Sequence, residues 1–583
     1  MGKKRENILV FFGIAVLIVA FNIICSFFFF RIDLTAEKRY TLSSSTRTLL
    51  KGLEDVVYVK VYLDGNLPPD FSELSLKTKE FLDECRVYSP QIQYEFIDPA
   101  KGKGPQELGA VYSELYQKGL NPQPIQDMTA DGVNTRYVVP GALISYQQRE
   151  IPVQLLDADH GILYNRDEII NYSMEKLEYN IGNAIRRLTL QQKANVAFLK
   201  GHGELDNMHV FGAAVGIADF YAVDSVVFDQ KISRLFDVKV TDSTTGDFTI
   251  EGIKYDLLII AKPTLPFSNY EKFMLDQFVM RGGRILWFVD PVMAELDSLM
   301  RYPEMPALAR ELNLEDMFFR YGVRLNADLL QDVNALPIPV RSGELAGQAQ
   351  YKMIPWYYFP LITPKSSHPV VKNLNVVKTE FVSSIDTVGS RSGLRKTVLL
   401  STSPTTKTVS TPAIISLETL RKRANMMEFD RSNLPVAVLV EGVFSSLFSG
   451  YENLNAEKLG FYDKSKPTKM IFVSDGDMIK NQISEKHYPL PLGYDRFTDK
   501  AYGNLNFLLN AVNYLCDDEE ILQVRSKDFK MRLLDGNRVL KEKTFWQVLN
   551  VALPLALVLL LGIVMFLVRR FRYHTKKQSQ QSM

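Results

Sequence analysis

Two apolar runs without a single charge stand at opposite ends of the chain and constrain everything between them. Asn7–Phe30 holds 24 residues and ends in four consecutive phenylalanines. A helix of that length is about 36 Å long, enough to cross a hydrocarbon core of about 30 Å. Trp546–Val568 is the second run, with Arg569, Arg570 and Arg572 directly after it. Proline is tolerated in a membrane helix, so Pro554 does not argue against a span. The first run is too long for the apolar part of a cleaved leader, and no small-x-small site follows it. Ile24 before Cys25 is too bulky for a lipoprotein cleavage site, so an uncleaved anchor is expected.

Basic clusters on the outer side of each run place both termini in the cytoplasm by the positive-inside rule. Arg31, Lys38 and Arg39, and Lys541 and Lys543, flank the inner sides and leave the opposite orientation open. With termini inside, a body of about 515 residues faces the periplasm or cell exterior. The whole chain has net charge +1, but residues 1–30 carry +2 and residues 546–583 carry +5, so the body is at −6. A mildly acidic body argues against nucleic acid as a partner, because phosphate binding needs a basic face.

Within the body, Val56–Leu63 alternates like a strand, and Phe71–Tyr88 repeats apolar residues at three and four. Ser43–Ser45 caps a short helix carrying Leu49 and Leu50. Gln91–Ile97 is a second strand, Gln106–Lys118 a helix closed by Gly119, and Ala142–Tyr146 and Glu150–Leu155 form a hairpin. The order β-α-β-α-β-β matches a thioredoxin-like layout over residues 31–190, without the CxxC that fold uses for redox chemistry. One helix, Ile169–Leu190, leads out of it.

The next domain, residues 191–535, reads as a doubly wound α/β layout. Asn195–Leu199, Phe236–Val240, Asp256–Ala261 and Arg284–Val289 are short apolar strands separated by helical stretches. Ser268 caps a helix that Gly282-Gly283 ends. Later strands fall at Val398–Leu400, Val436–Glu441 and Lys469–Val473, and a helix at Asn504–Leu515. Arg341–Tyr351, Asp386–Leu394 and Ser445–Lys466 read as loops or insertions. Trp356–Pro360 reads as a buried strand, an exposed docking surface being the rarer alternative.

No Gly-x-x-x-x-Gly-Lys-Ser/Thr loop, Gly-x-Ser-x-Gly elbow or Cys/His zinc spacing occurs. Polar groups cluster instead where apolar strands end, which is where ligands bind in such sheets. His202, Glu204, Asp206 and His209 follow the first strand of the α/β domain. Imidazole and carboxylate there can hold a metal, with His202, Glu204 and His209 the candidate ligands, against a plain solvated loop. Asp475 and Asp477 flank a glycine after the strand at 469–473 and are candidate ligand-facing carboxylates or simple turn formers. Asp157, Asp159 and His160 form a third polar group near the domain junction. Of the three cysteines, Cys25 lies in the first apolar run, and Cys85 and Cys516 read better as free thiols than as a pair.

Several stretches together resemble the gliding-motility ABC-transporter auxiliary proteins of the GldG type, known from Bacteroidetes. They include Arg31–Leu50 (RIDLTAEKRYTLSSSTRTLL), Asn171–Leu188 (NYSMEKLEYNIGNAIRRL), Val196–Glu204 (VAFLKGHGE), Arg281–Pro291 (RGGRILWFVDP), Tyr321–Asp332 (YGVRLNADLLQD) and Asn504–Leu515 (NLNFLLNAVNYL). The resemblance covers nearly the whole chain. It implies a non-enzymatic accessory or substrate-binding subunit, working with a separate ABC ATPase and a separate multi-spanning permease, with no cofactor. It also implies a middle domain related to the class I glutamine-amidotransferase-like fold. Active enzymes of that fold carry a cysteine on a strand-to-helix elbow, and none lies between Cys85 and Cys516 here. Two other functions stay open: a receptor whose cleft lies between the two domains and binds a periplasmic ligand or envelope component, and an envelope hydrolase using His202 and Glu204.

Overall fold

The computed structural model describes residues 42–129, 132–156, 166–189, 194–229, 231–242, 247–302, 304–345, 348–372, 374–389, 393–421, 425–450, 460–516 and 536–580, with the single positions 13 and 17. The apolar run expected to span at 7–30 therefore lies outside the described residues, apart from Gly13 and Leu17.

The first lobe begins with α1 (Ser44–Lys51), where the Ser43 hydroxyl accepts the Thr46 N–H at 3.1 Å. It continues through β1 (Val57–Val61), α2 (Pro69–Tyr88), β2 (Ile92–Phe96) and α3 (Pro105–Gln117). A hairpin of β3 (Gln123–Thr129) and β4 (Gly132–Val138) precedes β5 (Gly141–Tyr146) and β6 (Arg149–Gln154). The sheet order is β2-β1-β5-β6, with β1 and β2 parallel and the other pairs antiparallel. Val57, Val59 and Val61 point into a core closed by Phe71, Leu74 and Leu82 of α2. The single helix expected at 169–190 is two, α4 (Arg166–Glu175) and α5 (Leu177–Thr189), interrupted at Lys176. Leu177, Ile181, Ile185 and Leu188 hold α5 to the core.

The second lobe is built on β7 (Asn195–Lys200), α6 (Phe211–Ala218), β8 (Ala222–Val227), the hairpin β9 (Phe236–Asp242) and β10 (Asp247–Ile253), β11 (Leu257–Ala261), α7 (Asn269–Met280) and β12 (Arg284–Phe288). After an insertion carrying the ribbon β13 (Ala335–Leu345) and β14 (Gln348–Ile362), it resumes with β15 (Leu394–Ser401), β16 (Pro435–Gly442), β17 (Thr468–Val473) and α8 (Asn504–Cys516). Seven strands pair in the order β15-β16-β17-β12-β11-β7-β8. The five from β17 to β8 are parallel, and β16 and β15 are antiparallel additions at one edge.

All five residues of β11 are buried, as a parallel sheet covered on both faces demands. Leu257, Ile259 and Ala261 face a core shared with Ile217 of α6 and Phe507, Ala511 and Leu515 of α8. Leu258 and Ile260 face Leu275, Phe278 and Val279 of α7. The Trp287 and Phe472 rings on that second side stack at 6.3 Å between centroids. Helix α7 begins with a capping box in which Ser268 and Glu271 satisfy each other's backbone N–H groups. It ends at Gly282, whose φ of +99° a side chain rarely adopts.

Three expectations are corrected. Phe236–Val240 is not a strand of the parallel sheet but half of the β9–β10 hairpin, because only Phe236 in its first half is buried. The second parallel strand is β8, whose Asp224 and Ser225 disguise it; an edge strand can afford polar residues. The described residues of Arg341–Tyr351 are ribbon rather than loop: Pro337, Pro339 and Pro355 read as breakers, yet the β13–β14 pairing, with a register shift beside Pro337, accommodates them. Trp356, Tyr358 and Phe359 are buried in β14, as the strand reading requires.

A separate unit contains α9 (Gly536–Gln580). Its stretch Phe545–Leu567 has a mean hydropathy of 2.7 and is long and apolar enough to cross a membrane.

Gly283, immediately after α7, tests the tightness of the second core. A Cβ there would lie 2.4 Å from Phe278 Cε1, inside a ring that is fully buried. Gly283→Ala is expected to cost about 1–3 kcal/mol and lower the thermal midpoint. Gly343→Ala, with nothing within 4 Å of its Cβ, should leave it unchanged.

Candidate functional site

In the parallel sheet, β7 connects through α6 to β8 on one side, whereas β11 and β12 lie on its other side. The order reverses between β7 and β11, and the crevice beyond the carboxyl ends of strands at such a point is where ligands bind. The polar groups after β7, β11, β12 and β17 all belong to this edge.

The loop after β7 turns on Gly201 and Gly203, with φ of +130° and +70°. It buries His202 against the Phe267 ring, stacked at 3.7 Å between centroids. His202 Nε2 lies 3.2 Å from Glu271 Oε2, and Nδ1 lies 3.4 Å from Glu204 Oε1. The His202 carbonyl accepts the N–H groups of Thr264 (2.8 Å) and Leu265 (2.9 Å), joining the β7 loop to the β11 loop. Burial would lower the imidazole pKa, but Glu204 and Glu271 outweigh it and raise it. With a carboxylate near each nitrogen, His202 ties two loops to α7, although Nδ1 and Glu204 Oε1, 3.4 Å apart, are each buried without a hydrogen-bond partner. His209 is apart from it, 2.8 Å from Asp206 on the rim of a different hollow.

That hollow leads to the densest charge cluster of the sheet edge. Lys262 follows β11 with φ of +57°, a strained conformation for a residue with a side chain. Its N–H donates to the Phe288 carbonyl at 2.8 Å. Its Nζ lies 2.6 Å from Asp477 Oδ2 and 3.1 Å from Asp290 Oδ2. Gly476 donates its N–H to Asp290 Oδ1. No side chain fits at Gly476, because a Cβ would approach Lys262 Cγ to 2.6 Å. Asp475 accepts the N–H groups of Asp477 (2.8 Å) and Met478 (3.2 Å) on one oxygen and that of Glu380 (2.8 Å) on the other.

The electrostatics follow from burial and geometry. Burial would lower Lys262, but Asp290 and Asp477 hold it protonated well above the ordinary lysine range. Burial pushes the Asp290 carboxyl up against the pull of Lys262. Burial pushes Asp475 up as well, reinforced by the charges of Asp477 and Asp290. Asp477 is buried too, yet Lys262 and Lys480 bring it below the usual range.

Oxygens of Asp290, Asp475 and Asp477 lie within 4.8 Å of one another, the spacing of a metal cage. The Lys262 ammonium, however, already sits against two of them, and backbone N–H groups occupy both oxygens of the third. The residues present supply their own cation. A lysine held protonated has no lone pair for attack, so Lys262 itself serves as a fixed cation among the strand ends. Asp477 and Lys480 border a hollow of about 180 Å³, with His209, Glu380 and Arg496 on its walls.

The structure thus brings Asp475, Asp477 and, at the rim, His209 to one place, and puts His202 and Glu204 in a neighbouring clamp. Asp157, Asp159 and His160 lie outside the described residues. No disulfide joins Cys85 and Cys516. Sequence reasoning missed Lys262, Asp290 and Lys480. Their signal was position: Lys262-Pro263 and Asp290-Pro291 each follow an apolar strand directly.

The profile of the family described as an ABC-type uncharacterized transport system matches residues 193–511, more than half of the chain and including every residue of this edge. The chain belongs to this family. A domain of unknown function matches residues 36–145. An uncharacterized protein of Borreliella burgdorferi is 22% identical over 97% of this chain and 99% of its own length. Among solved structures, the mmIFT52 N-terminal domain is similar at a TM-score of 0.30 and 12% identity, covering 56% of this chain and 98% of that domain. For this member of the ABC-type transport system family, the match and the apolar stretch of α9 suggest membrane association.

Two variants test the charge clusters in the full-length protein. Lys262→Met leaves Asp290 and Asp477 buried without their cation and is expected to cost about 3–5 kcal/mol near neutral pH. Part of that loss should return as pH falls toward 5, because folded-state carboxylates with raised pKa values bind protons the unfolded chain does not, so stability rises as pH falls. His202 acts with the same sign in a higher pH window. Its raised pKa gives stability fully present below about pH 6.5 and lost as pH rises through the folded value. Thermal midpoints from about pH 6 to 8 should show this slope in the native protein and a flatter one in His202→Gln.

Proposed function

We propose that this protein is a non-enzymatic, substrate-binding accessory subunit of an ABC transporter linked to gliding motility, partnered by a separate ATPase and a separate multi-spanning permease. The observation that carries the reading is the family match over residues 193–511 on a chain that also has an apolar helix of spanning length. Two such helices, one at each end, supply anchors and no transport path, so a permease is required. In this reading the apolar run at 7–30 and α9 both cross the inner membrane, both termini are cytoplasmic and the folded body between them is periplasmic.

The order β2-β1-β5-β6 supports a thioredoxin-like first lobe, whose β1 is followed by no CxxC. The parallel sheet with helices on both faces supports a glutamine-amidotransferase-like second lobe, and no cysteine lies at its described strand ends. His209 is paired with Asp206 on a different hollow from His202 and Glu204, which weighs against a metal held by all three and so against the hydrolase alternative. A second reading, a two-lobed ligand receptor, is favoured by a cleft on the first lobe that Asn506 of the second lobe closes.

Extraction of the tagged full-length protein from native membranes in mild detergent tests the proposal. An ABC ATPase and a multi-spanning permease should co-purify in fixed proportion. Recovery of the protein alone would overturn the accessory role.

A further inference from the structure

The cleft between the lobes has a volume of about 350 Å³, within the range of small-molecule sites. Its first-lobe wall is one stripe of α5. Tyr179, Asn180, Asn183 and Arg187 recur at helical spacing on the side away from Leu177, Ile181 and Ile185. Gln154 of β6 lies beside them, with Asn121 and Gln123 from the approach to β3. Asn506 of α8 closes it from the second lobe. Arg187 also spans the lobes, 3.0 Å from Asp219 and 4.7 Å from the Phe220 ring centroid.

The lining is rich in side-chain amides and, among the described residues, contains no carboxylate. Part of this polarity is used internally: Gln154 donates to the Gly119 carbonyl at 2.7 Å, and Asn180 to the Gln154 carbonyl at 3.5 Å. Asn183 and Asn506 face the cleft half-buried, and Arg187 Nε is buried without a hydrogen-bond partner. Buried polar groups in this state are stable when a ligand or water satisfies them.

An amide offers a donor and an acceptor side by side, which is the complement of a hydroxyl pair on a sugar ring. Pro152, Val153 and Leu156 supply apolar surface for the C–H face of such a ring. The cations on the lining are Lys176 and Arg187, and Arg187 is already paired with Asp219, which suits a single acidic group better than a phosphate ester. A peptide docking as an added strand is also a poorer fit, because Pro152 leaves the edge strand β6 short of an N–H. We propose that this inter-lobe cleft is a saccharide-binding site, taking a neutral sugar residue or one with a single acidic group. The inference rests on the receptor reading and deepens it by naming the ligand class.

The test uses the full-length protein in lipid nanodiscs, since glycoside detergents would compete. N-acetylglucosamine, glucuronate and trialanine are titrated while saturation transfer to their protons is followed by NMR. Binding of at least one sugar, none of trialanine, and about a tenfold weakening in Asn183→Ala and in Asn506→Ala are expected. Unchanged thermal midpoints would show that both variants fold. Response of neither sugar, sugar binding that survives both variants, or trialanine binding in place of sugar would overturn the proposal. Sugar binding by a protein that co-purifies with no transporter subunit sinks the accessory role alone. Co-purification without sugar binding sinks the saccharide site alone.

Discussion

The ammonium of Lys262, held between Asp290 and Asp477, ties the ends of β11, β12 and β17 into one arrangement. A parallel sheet delivers the polar residues after its strands to a single edge, and here that edge is covered, so three carboxylates converge away from water. Their repulsion and desolvation would drive the strand ends apart without a cation of matching reach. Neighbouring features follow from it. Gly476 is bare because Lys262 passes over it, and its N–H serves Asp290. Asp475, turned away from the ammonium, takes the Glu380 N–H and so fastens the insertion to the sheet. The Ser474 and Ser383 backbones and the Ser474 hydroxyl continue that seam.

The sequence was most readable where burial is uniform or strictly periodic. The strands at 195–200, 257–261, 284–288 and 468–473 are apolar through their centres because both faces are covered, and the cap at Ser268 with the stop at Gly282 bounds α7. It was least readable where polarity and local breakers disguise an element. Edge strand β8 carries Asp224 and Ser225, and the β13–β14 ribbon carries prolines. Helix α6 contains Gly212 and Gly216, the latter facing Leu505 of α8 closely enough that a Cβ would sit 2.9 Å from it. That glycine looks like a helix breaker in sequence and is a packing requirement in space.

For the site, sequence reasoning could see that acids and histidines follow strands, but not which strands are neighbours. The pairing of β12 with β17 crosses an insertion of well over a hundred residues, so Asp290 and Asp477 give no local sign of sharing Lys262. The His202 clamp was hidden for a similar reason: its partner Glu271 reads as an ordinary capping residue of α7, and it is both. The amides of α5 were visible as letters, yet their meaning depends on Asn506, far away on α8.

Helix α9 has 45 residues and is therefore about 68 Å long, roughly twice what a hydrocarbon core requires. The surplus is helix rather than coil on both sides of the apolar stretch. A continuous rod behaves as a lever: tilting it to suit a thicker or thinner bilayer swings both protruding ends together, in opposite directions. The positions of its far ends, and of the arginines and lysines carried beyond the apolar stretch, are thereby set by the thickness of the membrane in which it is placed.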